Sequence, residues 1–112
     1  MARILAIDDE EGILYIIKNA LEKEGHEVTA VSNPLTISKD KFCHYDLILL
    51  DVMMPEIDGF TFCEEIRDLV DSPIVFLTAK TMEKDLITGL SLGGDDYITK
   101  PFGIGELRAR VS

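Results

Sequence analysis

Short apolar runs alternate with segments of helical pattern along this chain. Four runs stand out, at residues 4–7, 28–31, 47–50 and 74–77, and a shorter fifth candidate covers residues 97–99. Three of the four runs contain no alternating polar positions, which is typical of strands covered on both faces of a parallel sheet. The pattern therefore predicts a parallel sheet of up to five strands.

The intervening segments carry apolar residues at helical spacing. Four stripes are visible: Ile13, Ile17, Ala20 and Leu21; Phe62, Ile66 and Leu69; Leu86, Ile87 and Leu90; Ile104, Leu107 and Val111. A further segment, residues 33–45, contains Pro34 and few apolar anchors, so it predicts a short or irregular helix. Parallel strands need crossover connections, usually helices, and right-handed crossovers place them on both sheet faces. The alternation predicts an α/β doubly wound fold.

Length and charge narrow the possible functions. The 112 residues fit one domain, 1–112, and the last helical pattern is still running at Ser112, so we expect a longer parent chain. With 21 acidic and 11 basic residues the net charge is −10, which repels nucleic-acid phosphates and anionic lipid. Any DNA contact must come from a segment outside this sequence. No stretch is long enough to span a membrane.

The two cysteines and the N-terminus indicate a cytoplasmic protein. Cys43 and Cys63 form neither a C-x-x-C pair nor a zinc spacing, and we expect free thiols in a reducing compartment. The apolar run after Arg3 ends at Asp8, which is too short for a signal peptide.

Polar residues follow four of the predicted strands. Asp8 and Asp9 end the first run, Asp51 ends the third, Thr78 ends the fourth, and Lys100 follows the fifth. Ligands of open parallel sheets bind beyond the carboxyl ends of the strands. The five side chains should therefore meet at one edge of the sheet.

Such a cluster suits phosphoryl transfer. Carboxylates packed together repel one another unless a cation neutralises them, and Mg²⁺ prefers oxygen ligands. Lys100 and the hydroxyl of Thr78 could contact phosphoryl oxygens, and an aspartate such as Asp51 can act as the nucleophile. Each residue alone has a structural alternative: Asp8 or Asp9 could cap the first helix, and Thr78 could simply end a strand.

With these residues in hand, the chain resembles the receiver domain of two-component response regulators. The matching stretches are AIDDE at 6–10, DLILLDVMMPEIDGF at 46–60, PIVFLTAK at 73–80 and GGDDYITKPF at 93–102. They span the chain in the family's order. The resemblance implies a five-stranded parallel sheet of flavodoxin type, with strand order 2-1-3-4-5.

The resemblance also implies a role for each site residue. Asp51 would accept a phosphoryl group from a histidine kinase. Mg²⁺ would be bound by Asp9 directly, by Asp8 through water, by Asp51 and by the backbone carbonyl of Met53. Thr78 and Lys100 would bind the phosphoryl oxygens. The peptide bond before Pro101 would be cis, which is largely a proline property. The domain would assist its own phosphorylation and dephosphorylation without being a classical enzyme.

A switch and a dimer follow from the same resemblance. Thr78 would be drawn to the phosphoryl group and Tyr97 would rotate inward beside it. The face of the fourth helix, fifth strand and fifth helix would then pair two copies, as in the winged-helix (OmpR-type) subgroup, whose DNA-binding domain lies C-terminal to the receiver. Four charged residues fit that dimer face: Asp95, Asp96, Glu106 and Arg110. Leu86 and Ser91 stand where charges are common, and Gly94, where alanine is more usual, should loosen its loop.

Three rival interpretations remain at this point. A phosphatase with an aspartyl-phosphate nucleophile would place a second aspartate two residues later, where this chain has Met53. A receiver-like module that no longer uses phosphate should have lost one of the pocket residues, and all are present. A stand-alone receiver without an output domain is the third. Within the receiver interpretation, Lys80 is a candidate for controlling the access of water to the phosphoaspartate.

Overall fold

A computed structural model describes residues 1–79 and 83–111 of the chain. Its centre is one sheet of five parallel strands, arranged in the order β2-β1-β3-β4-β5. The strands are β1 (Arg3–Ile7), β2 (Glu27–Val31), β3 (Leu47–Asp51), β4 (Ile74–Thr78) and β5 (Asp96–Thr99). The predicted sheet and its strand order are confirmed.

The described residues form four α-helices, of which the first three connect strands and the fourth follows β5. They are α1 (Glu11–Glu22), α2 (Gly59–Ile66), α3 (Glu83–Ser91) and α4 (Ile104–Val111), with a 3-10 turn at Arg67–Leu69 continuing α2. Asp58 caps α2 by accepting a hydrogen bond from the Phe60 N–H at 2.8 Å. No helix in the described part of the chain is both long and apolar enough to cross a membrane.

The segment between β2 and β3 forms two 3-10 turns in place of a helix. These turns cover Pro34–Thr36 and Lys39–His44. Asn33 accepts a hydrogen bond from the Leu35 N–H at 2.9 Å, and Pro34 fixes the first position of the turn. The predicted irregularity is confirmed. The helices that the sequence analysis counted as fourth and fifth are therefore α3 and α4.

The core lies on both faces of the sheet because each strand alternates its side chains between them. Leu5, Ile7, Ile48 and Leu50 pack on one face with α2. Ile4, Ala6, Leu47 and Leu49 pack on the other face with α1 and α4. β3 and β4 are buried along their whole length, which accounts for their unbroken apolar runs. The doubly wound arrangement predicted from the alternation is thus observed.

Candidate functional site

The polar residues at the strand ends meet at the carboxyl edge of the sheet. Asp8 and Asp9 directly follow β1, Asp51 is the last residue of β3, and Thr78 is the last residue of β4. Lys100 follows β5, and its backbone N–H bonds the Thr78 carbonyl at 2.8 Å. Parallel register brings these residues together although they are far apart in sequence. Their roles in chemistry remain predictions, whereas their proximity is observed.

Lys100 is the centre of the polar contacts at this edge. Its Nζ lies 2.7 Å from Asp8 Oδ2 and 3.0 Å from Asp51 Oδ1. Asp8 is fully buried, and Asp51 is 4% exposed. Ion pairs this deeply buried are favourable only when their geometry is good and their remaining atoms are hydrogen-bonded. Burial and two short contacts therefore hold the lysine in one position.

Asp8 also contacts the start of α1. Its Oδ1 accepts a hydrogen bond from the Glu10 N–H at 2.9 Å, whereas its Oδ2 faces Lys100. The residue before α1 is Glu10, whose side chain makes no capping bond. The alternative that Asp8 or Asp9 caps the helix therefore does not describe this structure. Asp8 joins the turn before α1 to the site.

Burial and neighbouring carboxylates shift the protonation of Asp51. The pKa of Asp51 is raised from 3.8 to about 7, chiefly because burial disfavours its charged form. Lys100 acts against this rise, whereas the charge of Asp8 and the contact with Asp9 add to it. For Lys100, burial lowers the pKa, but the bonds to Asp8 and Asp51 outweigh it and the pKa rises. Lys100 alone therefore does not neutralise the group of three aspartates in the described part of the site.

The raised pKa of Asp51 has a consequence for stability without divalent cations. Between pH 3.8 and about 7 the folded protein retains a proton that the unfolded chain has lost, so the free energy of unfolding should fall as pH rises through this window. The slope due to Asp51 should be at most about 1.4 kcal/mol per pH unit. Urea unfolding of the wild type and Asp51→Asn in a chelator should show this difference, with the variant more stable at neutral pH. Parallel pH profiles of the two proteins would contradict it.

The donor set fits a hard divalent cation. Asp8, Asp9 and Asp51 each offer a carboxylate oxygen, and these oxygens lie within 4.8 Å of one another. The cluster consists of aspartates only, and all-oxygen ligands suit Mg²⁺ better than softer metals. Asp9 is exposed, so a hydrated ion could reach it. A cation at Asp9 and Asp51 would also relieve the contact between their carboxylates.

A small cavity opens beside Asp51. Its volume is about 130 Å³ and its lining is Glu10, Asp51, Met53, Thr78, Ala79 and Lys100. The Met53 side chain is 65% exposed at its mouth, whereas Thr78 is buried. The Lys100–Pro101 peptide bond is cis, as predicted. Lys80, the candidate for controlling water access, lies outside the described residues.

Tyr97 and the charged residues predicted on the dimer face lie on or next to α3, β5 and α4. Tyr97 is half-buried and lines a cavity of about 10 Å³ together with Thr78 and Leu86. Arg110 on α4 pairs with Asp96 on β5 at 2.7 Å, and both side chains are partly exposed. Glu106 on α4 and Ser91, the last residue of α3, are both exposed. The structure thus places Tyr97 beside Thr78 and Arg110 beside Asp96, and their part in a switch or dimer stays a prediction.

Arg67 forms a hydrogen-bonded network that the sequence did not reveal. Its guanidinium donates to the carbonyls of Gly93, Val70 and Ser72 and pairs with Asp95 at 3.1 Å. The partners lie in two loops, one before β4 and one between α3 and β5, so no local pattern signals the contact. Asp95, predicted on the dimer face, is thus paired within its own chain at the amino end of β5.

The loop after α3 is packed tightly, contrary to the expected effect of Gly94. A Cβ on Gly94 would lie 2.2 Å from Cε2 of Phe76, so the missing side chain lets the loop approach that ring. The aliphatic carbons of the Arg67 side chain likewise pass close to Gly93, where a Cβ would clash with them. Glycine here permits close packing and does not loosen the loop.

A match to a known protein family shows to which family this chain belongs. The family described as "Response regulator receiver domain" matches residues 4–112. The chain belongs to this family. The receiver domain described here also superposes on a solved two-component response regulator from Clostridium difficile, with a TM-score of 0.92 and 33% identity over 99% of this chain and 93% of that one.

Two curated relatives are similar over the whole receiver domain. The transcriptional regulatory protein SpaR of Bacillus subtilis is 58% identical over 112 residues, which is 100% of this chain and 51% of SpaR. The nisin biosynthesis regulatory protein NisR of Lactococcus lactis is 47% identical, over 97% of this chain and 48% of NisR. The chain therefore spans about half the length of these relatives.

Proposed function

We propose that this receiver domain accepts a phosphoryl group on Asp51 from a sensor histidine kinase, in a reaction that requires Mg²⁺. The observation that carries the proposal is the buried Asp51 carboxylate, held 3.0 Å from Lys100 and clustered with Asp8 and Asp9 at the ligand-binding edge of the sheet. A nucleophile, an acidic metal site and a fixed cation are the parts that phosphoryl transfer requires.

Each residue has a specific part in the proposed reaction. Asp9 and Asp51 would bind Mg²⁺ directly, Asp8 through a water, and Met53 through its backbone carbonyl. The metal would neutralise the aspartates and orient the incoming phosphoryl group. Asp51 would attack phosphorus, and the phosphohistidine imidazole would leave. Two further residues would bind phosphoryl oxygens, Lys100 through its ammonium and Thr78 through its hydroxyl.

The domain would be a switch and not a classical enzyme. It would be consumed as acceptor in each phosphorylation and return to its starting state by hydrolysis. Phosphatases with an aspartyl-phosphate nucleophile carry an acid/base aspartate two residues after it. This chain has Met53 at that position, which supports a switch over a phosphatase. The expected compartment is the cytoplasm, where the kinase's phosphorylated histidine would be accessible.

Phosphorylation would change the surface formed by α3, β5 and α4, which we call the α3–β5–α4 face. Thr78 would move toward the phosphoryl group, Tyr97 would turn inward beside it, and the changed face would pair two copies. SpaR, named a transcriptional regulatory protein, and NisR, named a biosynthesis regulatory protein, are each about twice as long as this chain. We therefore propose that a winged-helix DNA-binding domain follows residue 112 in the parent protein. DNA contact would come from that domain, since the receiver carries a net charge of −10.

The association state of the protein tests the proposed pairing of two copies through the α3–β5–α4 face. Beryllium fluoride, a tetrahedral mimic of a phosphoryl group, should convert the monomer to a dimer in sedimentation when Mg²⁺ is present. Arg110→Glu breaks the pair with Asp96 and should weaken the dimer by about tenfold or more. Lys18→Glu on the exposed side of α1 makes the same charge change and should leave the dimer intact. Equal weakening by both variants, or no dimer in the wild type, would contradict the proposed face.

A further inference from the structure

One charged residue lining the cavity at Asp51 has no part in the proposed phosphoryl transfer. Glu10 shares this cavity of about 130 Å³ with Asp51, Thr78 and Lys100. The remaining lining residues, Met53 and Ala79, have no side-chain group that accepts a proton at neutral pH. Besides Asp51, Glu10 is therefore the one residue with a carboxylate among those that line the described part of this cavity.

The backbone of Glu10 is fixed on both sides. Its N–H donates to Asp8 Oδ1 at 2.9 Å, and its carbonyl accepts from the N–H groups of Ile13 and Leu14 at 3.1 and 3.2 Å. Its side chain makes no capping bond. Within residues 1–79 and 83–111 its carboxylate forms no hydrogen bond or ion pair. The main chain thus anchors Glu10 at the cavity, and its carboxylate is not engaged by another described residue.

A hydrogen-bond acceptor of this kind can accelerate the hydrolysis of a phosphoaspartate. Water must approach phosphorus in line with the departing Asp51 oxygen, and a residue that orients this water accelerates the reaction. Lys100 has only donor hydrogens, so it can bind a phosphoryl oxygen but cannot accept a hydrogen bond from water. A carboxylate accepts such a bond readily.

We propose that the Glu10 carboxylate orients the water that hydrolyses phosphorylated Asp51, and so shortens the lifetime of the activated state. The water oxygen forms a bond to phosphorus, the bond between phosphorus and the Asp51 oxygen breaks, and Asp51 regains its carboxylate. The proton released by the water passes to solvent, and inorganic phosphate leaves. This inference rests on the proposed function of Asp51.

The lifetime of the phosphorylated protein tests the role of Glu10. The protein is phosphorylated with a small phosphodonor at saturating Mg²⁺, the donor is removed, and the remaining phosphorylated fraction is followed by intact mass. Glu10→Ala should lengthen the half-life by about tenfold or more, and Glu10→Gln, which keeps an acceptor oxygen, by less. Glu11→Gln removes the next carboxylate along α1, which is exposed, and should leave the half-life unchanged.

The outcomes separate this role from a structural one and from failure of the proposed function. An unchanged or shortened half-life in Glu10→Ala, at full phosphorylation, would overturn the proposal. A weaker Mg²⁺ midpoint in Glu10→Ala, with an unchanged half-life at saturating Mg²⁺, would also overturn it by placing Glu10 in the water shell of the metal. A wild type that never gains a phosphoryl group would reject the function of Asp51 itself, and the proposal for Glu10 with it.

Discussion

Replacing Gly59 with alanine is expected to lower the free energy of unfolding by about 3 kcal/mol or more. A Cβ at this position would lie 2.1 Å from the Asp51 carbonyl oxygen and 2.7 Å from the Val52 Cα. Both atoms belong to the backbone, so no side-chain rotation relieves the clash. The Gly59 N–H also donates to the Val52 carbonyl at 2.7 Å, which ties α2 to the end of β3.

Gly12→Ala is the matched control for this substitution. A Cβ on Gly12 would meet nothing within 4 Å, and the residue lies exposed in α1. Alanine should therefore leave stability unchanged or raise it by up to about 1 kcal/mol. Urea unfolding of the two variants beside the wild type gives the comparison. Equal stability of Gly59→Ala and Gly12→Ala would refute the close approach of α2 to β3.

Because Gly59 packs against the backbone of Asp51, the same substitution should also disturb the site. Moving α2 away from β3 would shift the Asp51 carbonyl and the following Val52. The position of the carboxylate relative to Lys100 depends on that backbone. A reduced rate of phosphorylation in whatever fraction of Gly59→Ala remains folded is the expected accompanying result.

Much of the fold could be predicted from the sequence because its signals are local. Unbroken apolar runs predicted β3 and β4, and the burial of both strands explains why no polar residue precedes Asp51 or Thr78 in them. Gly25 at φ +88° follows α1 where the helical pattern stops. The irregular segment at 33–45 was predicted from Pro34 and a lack of apolar anchors, and it forms 3-10 turns.

The site could be predicted because parallel strands place their carboxyl ends at one edge. This rule alone brings Asp8, Asp51 and Lys100 together, although 92 residues separate Asp8 from Lys100. Metal ligation and phosphoryl binding were expected from the kinds of side chain present.

Contacts that depend on tertiary packing could not be predicted. In the sequence, Arg67 has the appearance of an ordinary surface charge near the end of α2. Its hydrogen-bond and ion-pair partners lie in loops up to 28 residues away. Glu10 looks like a residue favoured in the first turn of a helix, and its place beside the cavity depends on the turn after β1. Gly94 was expected to loosen a loop, but the position of the Phe76 ring, set by β4, decides its effect.

Asp51→Asn is expected to abolish phosphorylation completely. The substitution removes the nucleophilic carboxylate while keeping an oxygen that can accept the Lys100 hydrogen bond, so the fold should remain intact. Asp58→Asn is the matched control, because Asp58 is another aspartate on the loop after β3 that serves as a helix cap. Asparagine caps helices about as well as aspartate, so this variant should accept the phosphoryl group normally.

Intact mass after incubation with a small phosphodonor and Mg²⁺ tests the assignment of Asp51 most directly. The account predicts a gain of one phosphoryl group in the wild type and in Asp58→Asn. It predicts none in Asp51→Asn, and none in the wild type when a chelator removes the metal. A folded wild type that gains no phosphoryl group, or an Asp51→Asn variant that gains as much as the wild type, would contradict it.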